Sequence, residues 1–204
     1  MHNDLTLTVV RHGNTFASGE AARRIGARTD ISLVDTGREQ ASAIGRSFAK
    51  AGMRFDRATV GPLQRTRETA GLILAELAHG PVPEGGDWLT EIDHGPDEDQ
   101  SEEDVRARIG DAALAAWDQF GTPPSGWIVD RAERLGRWRE LLLHATGDVL
   151  VVTSNGAARF ALLACAALQA GISLPSSMKL RTGAWGRVTR RDGVLQIEYW
   201  DRRP

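Results

Sequence analysis

Hydrophobic and polar positions divide the chain into segments with strand-like and helix-like periods. Residues 5–10, LTLTVV, alternate and then become wholly apolar, which predicts a strand that enters the interior of a sheet. The run DVLVVT, residues 148–153, is apolar almost throughout and predicts a strand covered on both faces. The pattern also predicts a short strand at 57–60 and a loop at 80–86. Near the end it predicts a pair of antiparallel strands, at 183–191 and 194–200, joined by a turn at Asp192-Gly193.

Five other segments carry apolar residues at helical spacing. TGRE at 36–39 and the polar residues at 101–104 are typical of helix-start boxes, the second leading into a helix through Trp117. The helix at 131–145 is amphipathic, and its four arginines are expected to face solvent. The segment 156–171 is apolar on nearly all sides, which predicts a buried helix. The apolar positions of the three amphipathic helices are Ala41, Ile44 and Phe48; Ala70, Ile73, Leu74 and Leu77; and Leu135, Trp138, Leu141 and Leu142.

The order of these elements predicts an α/β protein, a three-layer α/β/α sandwich with a mostly parallel central sheet. We expect one domain spanning residues 1–204, because no linker or repeat interrupts the pattern. Ligands of such folds bind beyond the carboxyl ends of the strands. The polar turns RHGNT and TSNGAAR follow two of the strands, and they become neighbours if those strands are adjacent.

Composition narrows the function classes. A formal net charge of −2 gives no overall attraction to nucleic acid or to acidic membranes, and the six tryptophans are interpreted as packing residues. The single cysteine, Cys165, cannot form an internal disulfide and lies in an apolar run, which favours a buried thiol and a reducing compartment. No apolar run is long enough to span a bilayer, and no signal peptide is seen before Leu5. The expected location is therefore the cytoplasm.

Three short motifs carry side chains suited to phosphoryl chemistry. Arg11 offers a planar fork of donors, His12 can act as a nucleophile, and Gly13 lets the backbone approach an anion closely. Arg65, in PLQRTRETA, begins a helix after a short strand and faces the same sheet edge. Glu91, in LTEIDHG, is a candidate general acid and base. Each residue alone is more typical of a structural role, so the hypothesis depends on their occurring together.

Together these motifs resemble the histidine phosphatase superfamily, which includes cofactor-dependent phosphoglycerate mutases. The family pattern is a strand followed by RHG-[E/Q]-T, then G-x-T-D-x-x-L-x-x-x-G-x-x-Q-A, S-x-L-x-R-A-x-x-T-A, L-x-E-x-x-x-G and a late strand ending in S-H-G. This chain has RHGNT, ARTDISLVDTGREQA, GPLQRTRETA, LTEIDHG and VVTSNG in the same order, across nearly its whole length.

The resemblance implies a phosphatase that forms a phosphohistidine on His12. Arg11 and Arg65 then hold the phosphoryl oxygens, and Glu91 protonates the leaving alkoxide and later activates water. No metal or other cofactor is expected, since arginines supply the positive charge. The implied partner is a small phosphorylated metabolite or another phosphomonoester. His94 is interpreted either as a residue at the pocket mouth or as an ordinary loop histidine.

Two positions depart from the family pattern. Ser18 stands where many relatives have an asparagine that touches phosphate. Ser154 stands where the second catalytic histidine is expected, and a missing preorganised donor typically costs ~10²–10³ in rate. Asn155 and Gly156, at a helix start, offer backbone amides to an anion. The resemblance therefore implies either a phosphatase of reduced activity or a phosphate-binding protein without turnover. A phosphomutase ranks third, because the segment between Leu77 and Glu91 leaves little room for a lid.

Charged residues near these motifs leave the substrate open. A basic cluster in the loop at 17–35 either borders the pocket and selects a second anionic group or is simply solvated; its members are Arg23, Arg24 and Arg28. The acidic run at 96–104 either repels polyanions from the mouth or is a helix start with favourable carboxylates.

Overall fold

A computed structural model describes residues 4–204, which fold around one six-stranded sheet in the order β3-β2-β4-β1-β5-β6. The strands are β1 (Leu5–Arg11), β2 (Arg57–Val60), β3 (Pro83–Gly85), β4 (Gly147–Thr153), β5 (Trp185–Arg191) and β6 (Val194–Arg202). Strands β1 to β4 are parallel, β5 runs antiparallel to β1, and β6 runs antiparallel to β5. The predicted mostly parallel sheet is confirmed. The expectation of no signal peptide rests partly on residues 1–3, which lie outside the described residues.

Residues 4–204 form five α-helices. They are α1 (Asp35–Lys50), α2 (Gln64–Ala75), α3 (Glu102–Phe120), α4 (Arg131–His144) and α5 (Asn155–Leu168). Helices α1 and α2 pack together over one face, and α4 and α5 pack together over the other. Within residues 4–204, no helix combines the length and apolar character that crossing a membrane requires.

The near-continuous apolar run of β4 is explained by two cores. Val149 and Val151 belong to the core beneath α4 and α5, whereas Leu150 and Val152 belong to the core beneath α1 and α2. Successive side chains of a strand point to opposite faces, so a strand covered on both sides needs apolar residues at every position. Cys165 is fully buried in the first core, as predicted, and burial raises the pKa of its thiol to about 12.

The structure confirms one of the two predicted helix-start boxes and not the other. The predicted box at 101–104 is confirmed, since the Ser101 hydroxyl accepts a hydrogen bond from the Asp104 amide at 3.1 Å. The predicted box at 36–39 is wrong, because α1 begins at Asp35 after an extended Val34 and has no side-chain cap. Instead, Asp35 in the first turn of α1 interacts favourably with the helix dipole.

Other local predictions also need correction. The segment predicted as a loop at 80–86 contains β3, which pairs with β2 at the sheet edge, where a strand tolerates proline. Helix α3 continues past Trp117 to Phe120 and is interrupted at Gly110, whose φ of 78° is not helical. The hairpin turn is as expected, with positive φ at both Asp192 and Gly193.

The carboxyl ends of β1 and β4 bring the two polar turns together. The strands are adjacent and parallel, with Arg11 opposite Thr153. The His12 amide continues this ladder by donating to the Thr153 carbonyl at 3.0 Å. The turns RHGNT and TSNGAAR are therefore neighbours, as predicted from the strand pattern.

Candidate active site

His12 occupies the turn after β1 and is only 2% exposed. Its Nδ1 lies 2.8 Å from the carbonyl oxygen of Gly13. A carbonyl can only accept, so Nδ1 carries the proton and the lone pair belongs to Nε2. Burial, together with the charges of Arg11 and Arg65, lowers the pKa of His12 well below its ordinary value. The imidazole is therefore neutral at neutral pH, which is the form a nucleophile needs.

Gly13 holds the turn against two helices. A Cβ at Gly13 would lie 2.3 Å from the carbonyl oxygen of Gly37, so the glycine permits a close backbone contact with α1. Sequence reasoning assigned that freedom to an anion instead. The Gly13 amide donates to the Thr69 hydroxyl at 3.2 Å, and this hydroxyl donates to the Arg65 carbonyl at 2.7 Å. The turn that carries His12 is thus bound to the helix that carries Arg65.

Arg65 is the second residue of α2 and is fully buried. Its guanidinium donates to the Thr29 carbonyl at 2.7 Å and to the Gly26 carbonyl at 3.0 Å. Its Nε is buried and has no hydrogen-bond partner among the described residues. Burial lowers the pKa of Arg65, but an arginine so lowered remains charged at neutral pH.

The loop that holds Arg65 is itself held by Glu98. One oxygen of this carboxylate accepts from the amides of Gly26 and Arg28, at 2.9 and 3.1 Å, and from the Thr29 hydroxyl at 2.8 Å. Only 8% of the Glu98 side chain is exposed. Glu98 therefore fixes the two carbonyls that orient Arg65, although sequence reasoning placed it only within an acidic run.

Arg11 is anchored by the segment before β5. It donates to the Leu180 carbonyl at 2.7 Å, while its Nε is buried without a hydrogen-bond partner in the described part of the chain. Burial lowers the pKa of Arg11 to about 10 despite the opposing charge of Glu91, so Arg11 is still a cation at neutral pH. The Asn155 side-chain oxygen accepts from the Leu180 amide at 2.9 Å. The side-chain oxygen of Asn155 thus supports the Arg11 anchor.

Glu91 lies against the start of α5 and is 6% exposed. Its oxygens accept from the amides of Ile92, at 2.9 Å, and Gly156, at 3.2 Å. Burial favours the protonated acid, but the His94 imidazole, these two amides and Arg65 outweigh it, and the pKa of Glu91 is lowered overall. The Gly156 amide, which the sequence offered to a bound anion, is therefore occupied by the protein's own carboxylate.

Ser154 and Ser18 have very different positions. Ser154 joins β4 to α5, is fully buried, and its hydroxyl has no hydrogen-bond partner within residues 4–204. It is a buried donor at the sheet edge where His12 also lies. Ser18 is in an exposed turn, and its side chain makes no hydrogen bond within residues 4–204.

The basic cluster and the acidic run neutralise each other. Arg23 and Arg24 pair with Asp99 and Glu102 of the acidic run, whereas Arg28 pairs with Asp93, which precedes the run. The arginines are therefore not an unpaired cationic rim, and the carboxylates are not an unscreened acidic wall. Both earlier interpretations treated the two segments separately, whereas the fold brings them into contact.

Arg134 corrects the prediction that all four arginines of α4 face solvent. It is half-buried and donates to the carbonyls of Thr90, at 2.7 Å, and Trp88 and Glu91, at 3.3 and 3.4 Å. Arg134 thus fixes the backbone of the turn that presents Glu91. Amphipathic periodicity could not reveal this contact, because it depends on a segment some 40 residues earlier in the chain.

Features outside this cluster do not form a competing site. Within residues 4–204, no group of three or more His, Cys, Asp or Glu side chains is placed to hold a metal ion. A cavity of about 310 Å³ lies beside α4 and strands β2, β3 and β4, with Arg57, Trp88 and His144 in its wall. It contains none of the candidate catalytic residues.

Comparisons with known proteins identify similar sequences and similar folds. Residues 7–203 match the histidine phosphatase superfamily (branch 1). A 2,3-bisphosphoglycerate-dependent phosphoglycerate mutase of Methylobacterium sp. (strain 4-46) is 35% identical over 134 residues, 62% of this chain and 64% of that protein. The chain thus matches less than two thirds of the length of such relatives.

Solved structures with the same fold cover almost the whole chain. A putative alpha-ribazole-5'-P phosphatase from Escherichia coli has a TM-score of 0.74 and 23% identity, covering 98% of this chain and 97% of its own. A mycobacterial glucosyl-3-phosphoglycerate phosphatase has a TM-score of 0.76 and 18% identity, covering 98% and 99%.

The buried neutral state of His12 predicts a pH-dependent contribution to stability. The unfolded chain binds a proton at this residue below about pH 6.5, whereas the folded protein resists it, so stability falls as the pH drops through that value. Relative to His12→Gln, the parent should lose up to about 1.4 kcal/mol per pH unit below pH 6.5. Urea unfolding from pH 7.5 to 5.0 measures this difference. Exposed His144→Gln should track the parent, and a pH-independent difference for His12→Gln would contradict the assignment.

Proposed function

Because the chain belongs to the histidine phosphatase superfamily (branch 1), we propose that it hydrolyses a phosphomonoester through a phosphohistidine on His12, without a metal ion. The observation that carries the proposal is the neutral His12: its Nδ1–H faces the Gly13 carbonyl, which leaves the lone pair on Nε2, and the charges of Arg11 and Arg65 act on the ring. Arg11 and Arg65 both retain Nε donors without protein partners, which suits a phosphoryl group. The two guanidinium cations are the groups of this site that attract an anion, and Glu91 is the carboxylate whose charge acts most strongly on both.

The chemistry then runs in two displacements. Nε2 of His12 attacks phosphorus in line, the bond from phosphorus to the ester oxygen breaks, and Glu91 gives its proton to the departing oxygen. Water next attacks the phosphohistidine while Glu91 takes a proton from it, which releases phosphate and restores His12. Arg11 and Arg65 stabilise the charge on the non-bridging oxygens in both steps.

Glu91 must be protonated to act first as an acid. Its pKa is lowered in the free protein, where Arg65 and the α5 amide favour the carboxylate. A bound phosphate dianion repels that carboxylate and engages the arginine, so substrate binding itself favours the acid form. Glu91 is therefore protonated when the ester is bound.

Ser154 sets the expected rate. A hydroxyl is a neutral donor with a shorter reach than an imidazole, so it stabilises the developing charge less well. This feature also favours the second candidate, a phosphate-binding protein without turnover. The resemblance to phosphoglycerate mutases supports a phosphomutase as a third candidate. However, only β3 and a 3₁₀ turn lie between α2 and Glu91, which leaves little chain for a lid.

The substrate that we propose is a small phosphorylated metabolite. The names of similar proteins include alpha-ribazole-5'-P, glucosyl-3-phosphoglycerate and phosphoglycerate, all of this class. The single buried cysteine is compatible with the cytoplasmic location that we propose for the protein.

Hydrolysis of p-nitrophenyl phosphate in the presence of a metal chelator tests the proposed function. We expect turnover by the parent and by His144→Ala, an exposed-histidine control, and none above background by His12→Ala. Intact mass spectrometry of reaction samples that are quenched without acid should detect one added phosphoryl group in the parent. Equal rates for parent and His12→Ala would refute the nucleophile, and phosphate binding without any turnover would favour the second candidate.

Replacement of Ser154 tests the departure from the family pattern. Ser154→His adds a donor with a longer reach and should raise kcat for the aryl phosphate, by up to ~10²-fold. Ser154→Ala removes the hydroxyl and should lower kcat, which provides the matched reference. If Ser154→His is slower than Ser154→Ala while retaining the parent's circular dichroism spectrum, the serine belongs to a different arrangement of the pocket.

A further inference from the structure

We propose that Asp201 is a positioning residue for Arg11: its carboxylate binds one end of the peptide unit whose other end binds the Arg11 guanidinium. The inference rests on the proposed function and gives a role in it to the end of β6, which contains none of the motifs and no group of the mechanism above. The peptide unit joins Leu180 to Arg181, in the segment that precedes β5.

The segment before β5 binds the turn that carries the proposed nucleophile. The Leu180 carbonyl accepts a hydrogen bond from the Arg11 guanidinium at 2.7 Å. The Ala184 carbonyl accepts from the Arg11 amide at 3.0 Å. The Gly183 amide donates to the His12 carbonyl at 3.1 Å. The position of this segment therefore determines where both Arg11 and His12 lie.

Asp201 binds the same segment from the side of β6. Its carboxylate accepts from the Arg181 amide at 2.7 Å and from the Arg181 Nε at 2.6 Å, and its carbonyl accepts from the Arg181 guanidinium at 3.3 Å. The Arg181 amide and the Leu180 carbonyl belong to one planar peptide unit. The Asp201 carboxylate and the Arg11 guanidinium therefore bind the N–H and the C=O of the same rigid group, so a rotation of that group disturbs both contacts.

An irregularity in β6 places Asp201 at this position. Arg187 of β5 lies opposite Tyr199, and Trp185 lies opposite Arg202. One residue of β5 but two residues of β6 lie between these pairs, so β6 forms a bulge, which changes the direction of a side chain. Asp201, in the bulge, has a φ of 64°, a left-handed conformation that is unfavourable for a residue other than glycine. Such a conformation persists where its surroundings determine it, and here they include the three bonds to the 180–184 segment.

The neighbours of Asp201 bind the same stretch of chain at other positions. The Trp200 indole donates to the Met178 carbonyl at 3.1 Å, and the Arg203 guanidinium donates to the Thr182 carbonyl at 3.3 Å. These bonds also hold the stretch against β6, but neither reaches the peptide that binds Arg11. Asp201 is the residue at the end of β6 that does.

This contact matters because Arg11 needs a fixed orientation. A carboxylate on the N–H of a peptide polarises it and strengthens the hydrogen bond that its C=O accepts. The Leu180 carbonyl thus holds one arm of the guanidinium, while Nε, which has no partner within residues 4–204, is left for the phosphoryl group. Loss of the Asp201 carboxylate frees the peptide to rotate, and the donors of Arg11 are then no longer oriented before the substrate binds.

Inorganic phosphate binding tests this role without requiring turnover. Asp201→Gly removes the carboxylate but introduces the residue that adopts a positive φ most readily, so it isolates the loss of the side chain. We expect the dissociation constant for phosphate, measured by isothermal titration calorimetry, to rise about 10-fold, and kcat/KM for p-nitrophenyl phosphate to fall by about 10- to 100-fold, since a shift of ~1 Å can cost ~10² in rate. Asp201→Asn, whose amide oxygen still accepts from the Arg181 amide, should have the smaller effect. Asp192→Gly, a positive-φ control in the exposed hairpin turn, should match the parent.

Arg65 provides an internal control that separates positioning of Arg11 from general loosening of the protein. The Nε–H groups of Arg11 and Arg65 are both buried without a partner in the described part of the chain. In arginine-labelled protein followed by NMR, Asp201→Gly should speed hydrogen exchange of the Arg11 Nε–H and leave that of Arg65 unchanged. Equal acceleration at both groups, or no change at Arg11, would overturn the inference.

The outcomes for Asp201 and for the proposed function are distinguishable. Turnover by the parent, combined with parent phosphate affinity in Asp201→Gly or a larger loss in Asp201→Asn, would reject the role of Asp201 and leave the proposed function standing. A parent that binds phosphate without turnover would favour the second candidate function, and the affinity of Asp201→Gly would still decide the role of Asp201. A parent that neither binds phosphate nor hydrolyses the ester would refute both.

Discussion

The site depends on burying the guanidinium of Arg65 at the point where the parallel strands end. Burying a charge is costly unless its hydrogen-bond donors have partners. Here the backbone carbonyls of Gly26 and Thr29 accept hydrogen bonds from the guanidinium. Those carbonyls stay in place because Glu98 binds the amides and hydroxyl around them. Thr69 extends the same network to the turn that carries His12, because its hydroxyl bonds both the Gly13 amide and the Arg65 carbonyl. The position of the cation and the position of the nucleophile are therefore fixed together.

This arrangement sets the charge of the site and the protonation state of His12 before a substrate binds. Burial, together with the charges of Arg11 and Arg65, lowers the pKa of His12 and keeps the ring neutral, so the proposed nucleophile need not first lose a proton to solvent. The charge of Glu91 acts on both cations, and its carboxylate is in turn held by the start of α5. Donors fixed before the substrate arrives need no reorganisation during the reaction, which is the main source of electrostatic catalysis. In the proposed mechanism Ser154 supplies a weaker donor than an imidazole, and we expect a lower rate by the same two displacements.

The sequence predicted those parts of the site that follow from local patterns. Apolar strands predicted a parallel sheet whose ends bring two polar turns together, and Arg65 was recognised at the start of its helix. The sequence did not reveal the roles of Glu98, Thr69 and Arg134. Each of them acts through contacts with distant segments, and hydrophobic periodicity gives no information about such contacts. The burial of His94 was likewise invisible, since it depends on a tryptophan far along the chain. Composition showed the basic and acidic runs but could not show that the fold pairs them.

A crystal structure of the protein with vanadate bound tests the central claim most directly, because vanadate adopts the geometry of a phosphoryl group in transfer. The account predicts vanadium in line with Nε2 of His12, with the guanidinium groups of Arg11 and Arg65 on its equatorial oxygens. The Glu91 carboxyl should face the apical oxygen opposite Nε2. Vanadate bound elsewhere, or a His12 ring whose Nε2 points away from it while Arg65 remains on its two carbonyls, would contradict the account.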